Sequence, residues 1–141
     1  MLQQALHRIE LQTRGRALYE FTDKVQQLVA ESGLVNGCIT LLVQHTSASL
    51  LIQENADPEV RRDLERFFSR LVPDGDRLFE HTSEGEDDMP AHVRTALTTV
   101  NLAIPFSRGR LELGTWQGIY LWEHRHQPHR RSIAVHILGA S

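Results

Sequence analysis

The sequence is poor in cysteine, contains no long apolar run and carries no strong excess of charge of either sign. Its one cysteine, Cys38, excludes a disulfide within the chain, and the apolar residues around it predict a buried, unreactive thiol. No apolar stretch approaches the roughly 20 residues that a membrane-spanning helix needs. Residues 1–10 lack the apolar segment of a secretory signal peptide. We therefore expect a cytoplasmic protein with no membrane partner.

Charge and aromatic residues do not indicate a nucleic-acid partner either. The formal net charge is -3, which gives no general attraction to phosphate backbones. The one basic cluster, residues 125–131, is short and has no interleaved aromatic residues that could stack on bases. The sequence thus predicts that nucleic acid is not the partner.

What is present is the composition of an ordinary globular domain. The chain has 141 residues, of which 40% are hydrophobic and 23% charged. A chain of this length buries roughly 70% of the surface that its unfolded form exposes, which is enough for a stable core without disulfide or metal cross-links. No linker or repeat array interrupts it, so we predict a single domain over residues 1–141.

Helix and strand signals alternate along the chain without a regular strand–helix–strand rhythm. Thr22 looks like the N-cap of a first helix that ends at Gly33, and Asp57 followed by Pro58 starts a second. A third helix is predicted over residues 89–98. Strands are predicted over residues 9–13, 17–21, 38–43, 50–52, 100–106, 111–124 and 132–138. The nearly continuous apolar run 38–43 suits a strand covered on both faces, and residues 50–52 are expected to continue it after a break. This order predicts an α+β fold.

A block of polar residues follows the apolar strand 38–43. His45, Thr46 and Ser47 stand where a rigid strand end would fix their positions accurately. A turn in which the hydroxyl groups bond the backbone explains the block equally well.

His81 and His92 enclose a run of acidic residues in the second half of the chain. Imidazole and carboxylate groups together are the ligands that a zinc-like ion takes. The spacing matches no short metal motif, so a solvated acidic loop, or acids that cap the third helix, remains an alternative.

Two glycines, Gly114 and Gly118, enclose Thr115, Trp116 and Gln117. Because glycine weakens a strand, the pair indicates close approach of a ligand or of another backbone. Trp116 offers a flat face for a ring, and Gln117 offers a donor and an acceptor. A bulge that places Trp116 in the core is the alternative. On a regular strand Thr115, Gln117 and Glu123 would share one face, which predicts a polar surface lining a site. For Glu123 the alternative is a surface salt bridge with Arg125 or Arg131.

Taken together, these motifs resemble the YjbQ family. The residues that carry the resemblance are Gln44-His45-Thr46-Ser47-Ala48-Ser49-Leu50, Asn55 with Asp57-Pro58, Asp87-Asp88-Met89-Pro90-Ala91-His92, Gly109-Arg110 and Gly114-Thr115-Trp116-Gln117-Gly118-Ile119. They cover essentially the whole chain in the family's order, and the Gly-Thr-Trp-Gln segment is the most specific.

The resemblance implies an α+β fold, built as a mixed sheet or sandwich with three helices, that assembles into a homotrimer. It also implies histidines that face a cleft between subunits, and secondary thiamine-phosphate synthase activity. That transferase reaction joins a pyrimidine diphosphate to a thiazole phosphate and releases diphosphate, so a small phosphorylated metabolite would be the partner. The alternative is a non-catalytic protein that binds a metal or an anionic metabolite, because a cleft with several histidines serves either purpose.

On this hypothesis the cofactor is a divalent metal ion, zinc or magnesium, with His45, His81 and His92 as its ligands. The residues expected to carry the chemistry are His45, Ser47, Asp88, His92, Gln117 and Glu123. Those expected to bind the substrate are Thr46, Gly114, Thr115, Trp116 and Gly118. Asp88 and Glu123 are expected to orient the imidazoles, as carboxylates behind metal ligands commonly do.

Overall fold

A computed structural model describes residues 1–141 of the protein. The strands are β1 (Leu2–Gln12), β2 (Ala17–Glu20), β3 (Asn36–Val43), β4 (Ala48–Glu54), β5 (Asn101–Ser107), β6 (Arg110–Leu111), β7 (Gln117–Glu123) and β8 (Arg130–Ala140), and the helices are α1 (Thr22–Ser32), α2 (Pro58–Leu71) and α3 (Asp88–Leu97). The predicted α+β class with three helices is confirmed. None of the three helices has the length and apolar character needed to cross a membrane.

The strands form two sheets in which every pairing is antiparallel. The larger sheet has the order β1-β8-β3-β5-β6, and the smaller has the order β2-β7-β4. The expectation of a mixed sheet was therefore wrong. No crossover returns a strand in parallel, because the connections are hairpins or pass from one sheet to the other.

The core joins the inner faces of the two sheets. Ile39, Leu41 and Val43 alternate along β3 and are buried, and β7 contributes Ile119 and Leu121 to the same cluster. Helix α1 adds its own buried apolar side to this cluster. Burial of this continuous apolar surface is the main stabilising contribution to such a fold.

The outer face of the larger sheet is not covered within one chain. Cys38, Thr40 and Leu42 alternate with the buried residues of β3, and Leu42 is exposed. Cys38 is half-buried on this outer face, which corrects the prediction of a buried thiol. The predicted cover on both faces of this strand is thus not supplied by the chain itself.

Helix starts and stops follow the sequence signals closely. The Asp57 side chain accepts from the Glu59 backbone N–H, and Gly33 ends α1 in the left-handed region with φ of 72°, as predicted. Thr22 is the first residue of α1 rather than its cap, because its hydroxyl accepts from the Ile119 backbone N–H at 2.9 Å.

The segment between β3 and β4 differs from its prediction. Residues 50–52 were expected to continue the strand 38–43, but β4 lies in the other sheet. Residues 44–47 therefore carry the chain from one sheet to the other. The predicted strand 111–124 is likewise interrupted, since residues 112–116 separate β6 from β7.

Candidate functional site

Three side chains that can bind a cation converge at the start of α3. His81 Nε2 lies 2.7 Å from Asp88 Oδ2, and His92 Nε2 lies 3.3 Å from the same oxygen. Asp88 and His92 are four residues apart on α3, which places them on the same side of the helix. His81 joins them from the preceding loop, and the three ligand atoms lie within 4.8 Å of one another.

The orientation of His92 is determined by a backbone carbonyl. Its Nδ1 lies 3.2 Å from the Thr46 carbonyl oxygen, which can only accept, so Nδ1 carries the proton. In the neutral ring Nε2 is then a bare lone pair, and it faces the Asp88 carboxylate. A ring N–H bonded to a carbonyl, with the other nitrogen free, is the usual arrangement of a histidine that binds a metal.

Asp88 is itself held from behind by an arginine. Arg125 donates from Nη1 to Asp88 Oδ1 at 2.7 Å and from Nε to Asp87 Oδ2 at 3.1 Å. Its Nη2 donates to the Glu84 carbonyl oxygen in the preceding loop. Because Oδ1 is taken by Arg125, the buried Asp88 carboxylate presents Oδ2 to the two histidines.

His45 is oriented by a separate hydrogen-bond network. Its Nδ1 accepts from the Ser47 backbone N–H at 3.1 Å, and the Ser47 hydroxyl lies 3.0 Å from the same nitrogen. The hydroxyl in turn accepts from Arg131 Nη2 at 2.9 Å. Arg131 is paired with Glu123, and Thr13 also donates to Glu123 at 2.7 Å. Arg131, Glu123 and Ser47 are all buried.

The Thr46 carbonyl and the Ser47 N–H belong to one peptide group. A trans peptide group directs its carbonyl and its N–H to opposite sides. The carbonyl accepts from His92 and the N–H donates to His45. The turn between the two sheets therefore gives the two imidazoles opposite proton positions.

His45 is held in its neutral form. Burial of part of the ring, and next the positive charges of Arg131 and His129, lower the pKa of His45 below its ordinary value, while Glu123 acts in the opposite direction. The lowered pKa agrees with the bond from the Ser47 N–H, which an imidazolium could not accept.

His45 and His92 line one open cleft of about 630 Å³. Its wall is formed by the end of β3, by the outer turns of α3 and by residues 98–101. A smaller cavity of about 280 Å³ lies on the far side of His81, with Phe79, Met89 and Pro90 in its wall. The cluster of His81, Asp88 and His92 thus lies between two cavities.

The chain is similar to known proteins in both sequence and fold. The family model described as "UPF0047 protein YjbQ-like" matches residues 7–140. The chain belongs to the YjbQ family.

Relatives within the YjbQ family are similar along most of their length. A UPF0047 protein from Synechocystis is 54% identical over 127 residues, covering 90% of this chain and 86% of its own. The YjbQ protein of Escherichia coli is 47% identical, covering 90% of this chain and 93% of its own. A YbjQ-like protein of unknown function from Sulfolobus solfataricus has a TM-score of 0.89 and 25% identity, covering 99% of each chain. A YjbQ-family protein from Clostridium acetobutylicum has a TM-score of 0.84 and 34% identity, covering 93% of this chain and 98% of its own.

Only part of the YjbQ-like set of residues predicted from the sequence comes together in one chain. His81, Asp88 and His92 form the cluster, and Thr46 contacts it through its carbonyl. His45 borders the same cleft but is not in the cluster of ligand atoms, and its Nδ1 is already occupied. Of the three histidines expected to hold a metal ion, His81 and His92 thus come together within one chain, with Asp88 between them and His45 apart.

The glycine-bounded segment 114–118 lies at the opposite end of β7. Gln117 begins this strand and Glu123 ends it, so a rise of about 3.3 Å per residue separates them by ~20 Å. Ile119 and Leu121 share their face and are buried core residues, so the predicted continuous polar face does not exist. Within one chain Thr115, the glycines and Gln117 cannot reach the cluster.

The local structure of this segment explains its composition. The Gln117 side chain accepts from the Gly114 backbone N–H at 2.8 Å, which closes a tight turn. A Cβ atom at Gly118 would meet Glu20 Oε2 at 2.6 Å, so close packing of neighbouring side chains accounts for this glycine. Trp116 is 64% exposed, and the alternative that placed it in the core was wrong.

The sequence reasoning missed the two arginines that support the histidines. Arg125 and Arg131 were considered as part of a short basic cluster and as partners of Glu123 in a surface salt bridge, whereas the pair of Arg131 with Glu123 is buried. The available signal was that Arg125 directly follows Glu123-His124 at the end of an apolar strand. Glu123 does orient an imidazole, but only through Arg131 and Ser47.

Proposed function

We propose that this protein is an enzyme that acts on a phosphorylated heterocycle with the help of a divalent metal ion held by His81, Asp88 and His92. The named candidate is secondary thiamine-phosphate synthase activity. The observation that carries the proposal is the convergence of His81 Nε2 and His92 Nε2 on Asp88 Oδ2.

The donor set fits such an ion. With Nδ1 of His92 bonded to a carbonyl, the Nε2 lone pair faces a carboxylate oxygen, and the two repel unless a cation lies between them. A proton can fill this position, and so can a divalent ion, for which two imidazoles and a carboxylate are a common set of three protein ligands. A catalytic ion of this kind keeps one position open to substrate.

The chemistry of the candidate reaction matches what the cleft offers. The methylene–oxygen bond to diphosphate breaks, and the thiazole nitrogen supplies the electron pair for the new carbon–nitrogen bond. No proton has to be removed from that nitrogen, so the reaction needs no general base. This agrees with a cleft in which the His45 lone pair is already occupied. A divalent ion bound at the cluster supplies positive charge that neutralises the departing diphosphate.

The proposal keeps some of the predicted roles and changes that of Ser47. Asp88 and His92 hold the ion together with His81, and the Thr46 carbonyl sets the His92 ring. Ser47 is buried and bonded to Arg131, so it supports His45 and does not bind the substrate directly.

We further propose a homotrimer in which a neighbouring chain completes the cleft. The outer face of the larger sheet carries exposed apolar side chains on three of its strands. They are Leu2, Leu6, Leu42 and Leu138. An apolar face of this kind is typical of a surface that another chain covers. Residues 114–118 lie at the start of β7, about 20 Å along that strand from Glu123 at its other end, so in this proposal they act at the cleft of a neighbouring chain across a subunit contact.

A second candidate is a non-catalytic protein that binds a metal or an anionic metabolite. Its anion-binding form is favoured by the Arg125 contact, because an arginine at 2.7 Å from Asp88 lowers the negative charge that would attract a metal and repel an anion. The same histidine cluster and open cleft would serve it without turnover.

The test combines metal content with an activity assay. The purified protein is mixed with the pyrimidine diphosphate, the thiazole phosphate and magnesium, zinc or manganese, and thiamine phosphate is measured. We expect slow, metal-dependent product formation that His92→Ala and Asp88→Asn reduce at least ~10-fold, the scale of a lost metal-ligand role. His7→Ala, an exposed position outside the cluster, is the matched control and should leave both metal content and activity unchanged.

The outcomes separate the two candidates. Metal bound by the wild-type protein and lost from both cluster variants, together with product, supports the enzyme. Binding of the precursors without product above the buffer rate would lead us to abandon catalysis of this reaction in favour of the binding protein. Equal metal content in His92→Ala, Asp88→Asn and the wild-type protein would remove the metal site from both.

A further inference from the structure

The proton position on His45 is determined by two donors that both point at Nδ1. The Ser47 backbone N–H has no alternative to donating, so Nδ1 must be an acceptor. The Ser47 hydroxyl lies 3.0 Å from the same nitrogen and accepts from Arg131, which leaves its own hydrogen for Nδ1. The single ring proton of neutral His45 therefore sits on Nε2.

Nε2 of His45 has no hydrogen-bond partner within the chain, although its ring borders the same cleft as His92. The ring is thus a donor aimed at open space beside the candidate metal cluster. A ring that buried neighbours hold in place, with a free N–H donor facing the cleft, is suited to bind a hydrogen-bond acceptor there.

We infer that His45 is a fixed hydrogen-bond donor to a phosphoryl oxygen of the substrate, and neither a metal ligand nor a proton acceptor. The inference rests on the proposed function, because the phosphorylated substrate is the one held at the His81–Asp88–His92 cluster. It divides the cleft into a cation-binding side, set by His92, and an anion-binding side, set by His45.

The supporting network strengthens this donor. Arg131 polarises the Ser47 hydroxyl, and both bonds to Nδ1 withdraw electron density from the ring, which makes the Nε2–H bond more polar. Glu123 keeps Arg131 in place and balances its charge in the buried interior. His45 therefore offers positive character to an oxyanion without carrying a full charge.

Two substitutions separate the donor from the turn that holds it. In His45→Asn the side-chain oxygen can accept from the Ser47 N–H as Nδ1 does, so the turn is retained and the Nε2 donor is lost. In His45→Gln the longer amide places an N–H group near the position of Nε2. The probe is inorganic diphosphate, titrated into the metal-loaded protein by calorimetry.

We expect His45→Asn to weaken diphosphate binding about 10- to 100-fold, the usual range for a hydrogen bond to a charged group. His45→Gln should stay within about threefold of the wild-type protein, which a merely structural role would not explain. Metal content should be unchanged in both variants, because His45 is not a ligand.

Nuclear magnetic resonance of the ring nitrogens tests the same inference without substrate or metal. Nitrogen-15 couplings should show a protonated Nε2 and a bare Nδ1 at neutral pH. A proton on Nδ1, loss of metal in His45→Asn, equal diphosphate binding in His45→Asn and wild type, or no diphosphate binding by the wild-type protein would each overturn it. If the metal cluster itself were wrong, His92→Ala and Asp88→Asn would contain as much metal as the wild-type protein. The ring protonation of His45 would then be unchanged.

Discussion

Arg131 and Glu123 form an ion pair that is completely enclosed beneath His45. Arg131 donates from Nε to Glu123 Oε1 at 2.9 Å, and both side chains are buried. Two charges removed from water are tolerated only when each satisfies the other, and removing one leaves the second without compensation.

We expect Arg131→Met to lower the free energy of unfolding by about 3–5 kcal/mol, measured by urea denaturation. Arg130→Met is the matched control, because its side chain is exposed on the surface beside Glu10, and it should change stability by less than about 1 kcal/mol. The double variant Arg131→Met with Glu123→Met should recover much of the loss. Equal stabilities of Arg131→Met and its control Arg130→Met would show that the loss of one buried charge does not destabilise the fold.

At the residue scale, the sequence indicated the residues of the cluster better than the residues that support them. His81 and His92 were singled out because they enclose a run of acidic residues that includes Asp88. Arg130 and Arg131 are neighbours of the same type in the sequence, yet one is exposed and the other buried. Only the register of β8 against β1 and β3 decides between them, and single-residue patterns do not contain that register.

Helix α3 is tied to β7 and β4 by a buried hydrogen-bond chain. Arg94 on α3 donates from Nε to His124 Nδ1 at 3.0 Å, and His124 Nε2 lies 2.8 Å from the Ser49 hydroxyl. Because Arg94 can only donate, His124 carries its proton on Nε2 and gives it to Ser49. A second proton would have to displace the Arg94 bond. Burial, and next the charge of Arg94, lower the pKa of His124 to about 2.

This link predicts acid sensitivity of the α3 docking. In the unfolded chain His124 takes up a proton near its ordinary pKa, whereas in the folded chain its pKa is about 2. At a pH between these two values the unfolded state therefore binds more protons than the folded state. The free energy of unfolding should therefore fall by about 1.4 kcal/mol per pH unit from this group alone as the pH drops below ~6.5. In His124→Gln the free energy of unfolding should change less steeply with pH between pH 6 and 4, by about 1.4 kcal/mol per pH unit, which corresponds to one proton. Urea denaturation across that range measures this slope. The same slope in both proteins would contradict the assignment.

At the element scale, helix boundaries were predictable and strand partners were not. Asp57, Pro58 and Gly33 act through contacts within a few residues, so their effects can be read along the chain. The turn at residues 44–47 moves the chain into a different sheet, and this depends on packing between distant segments. Two apolar runs separated by a short polar block have the same sequence pattern whether the two strands lie in one sheet or in two.

For the molecule as a whole, the uncovered face of the larger sheet has the largest consequence. Leu6 is 78% exposed midway along the edge strand β1 of that face, opposite His136 and near the exposed Leu138. In the proposed trimer this face is covered by another chain, and a charge placed there would be buried without a partner.

We expect Leu6→Glu to convert a trimer, with three times the 16.1 kDa mass of one chain, into monomers when measured by light scattering. Leu78→Glu is the matched control, because Leu78 is 79% exposed in the loop before α3 and lies outside the sheet. A monomeric wild-type protein at micromolar concentration would contradict the trimer, and so would a trimer that is insensitive to Leu6→Glu.

The peptide group between Thr46 and Ser47 sets both imidazoles of the cleft, and it belongs to no side chain. Substitution scanning at these two positions would leave its carbonyl in place and, for every residue except proline, its N–H as well. The orientation of His45 and His92 therefore depends on backbone groups that most substitutions leave in place. Two proteins of this fold could differ at both positions and still share it, and only replacement of the amide by an ester would remove the N–H donor while leaving the side chains unaltered.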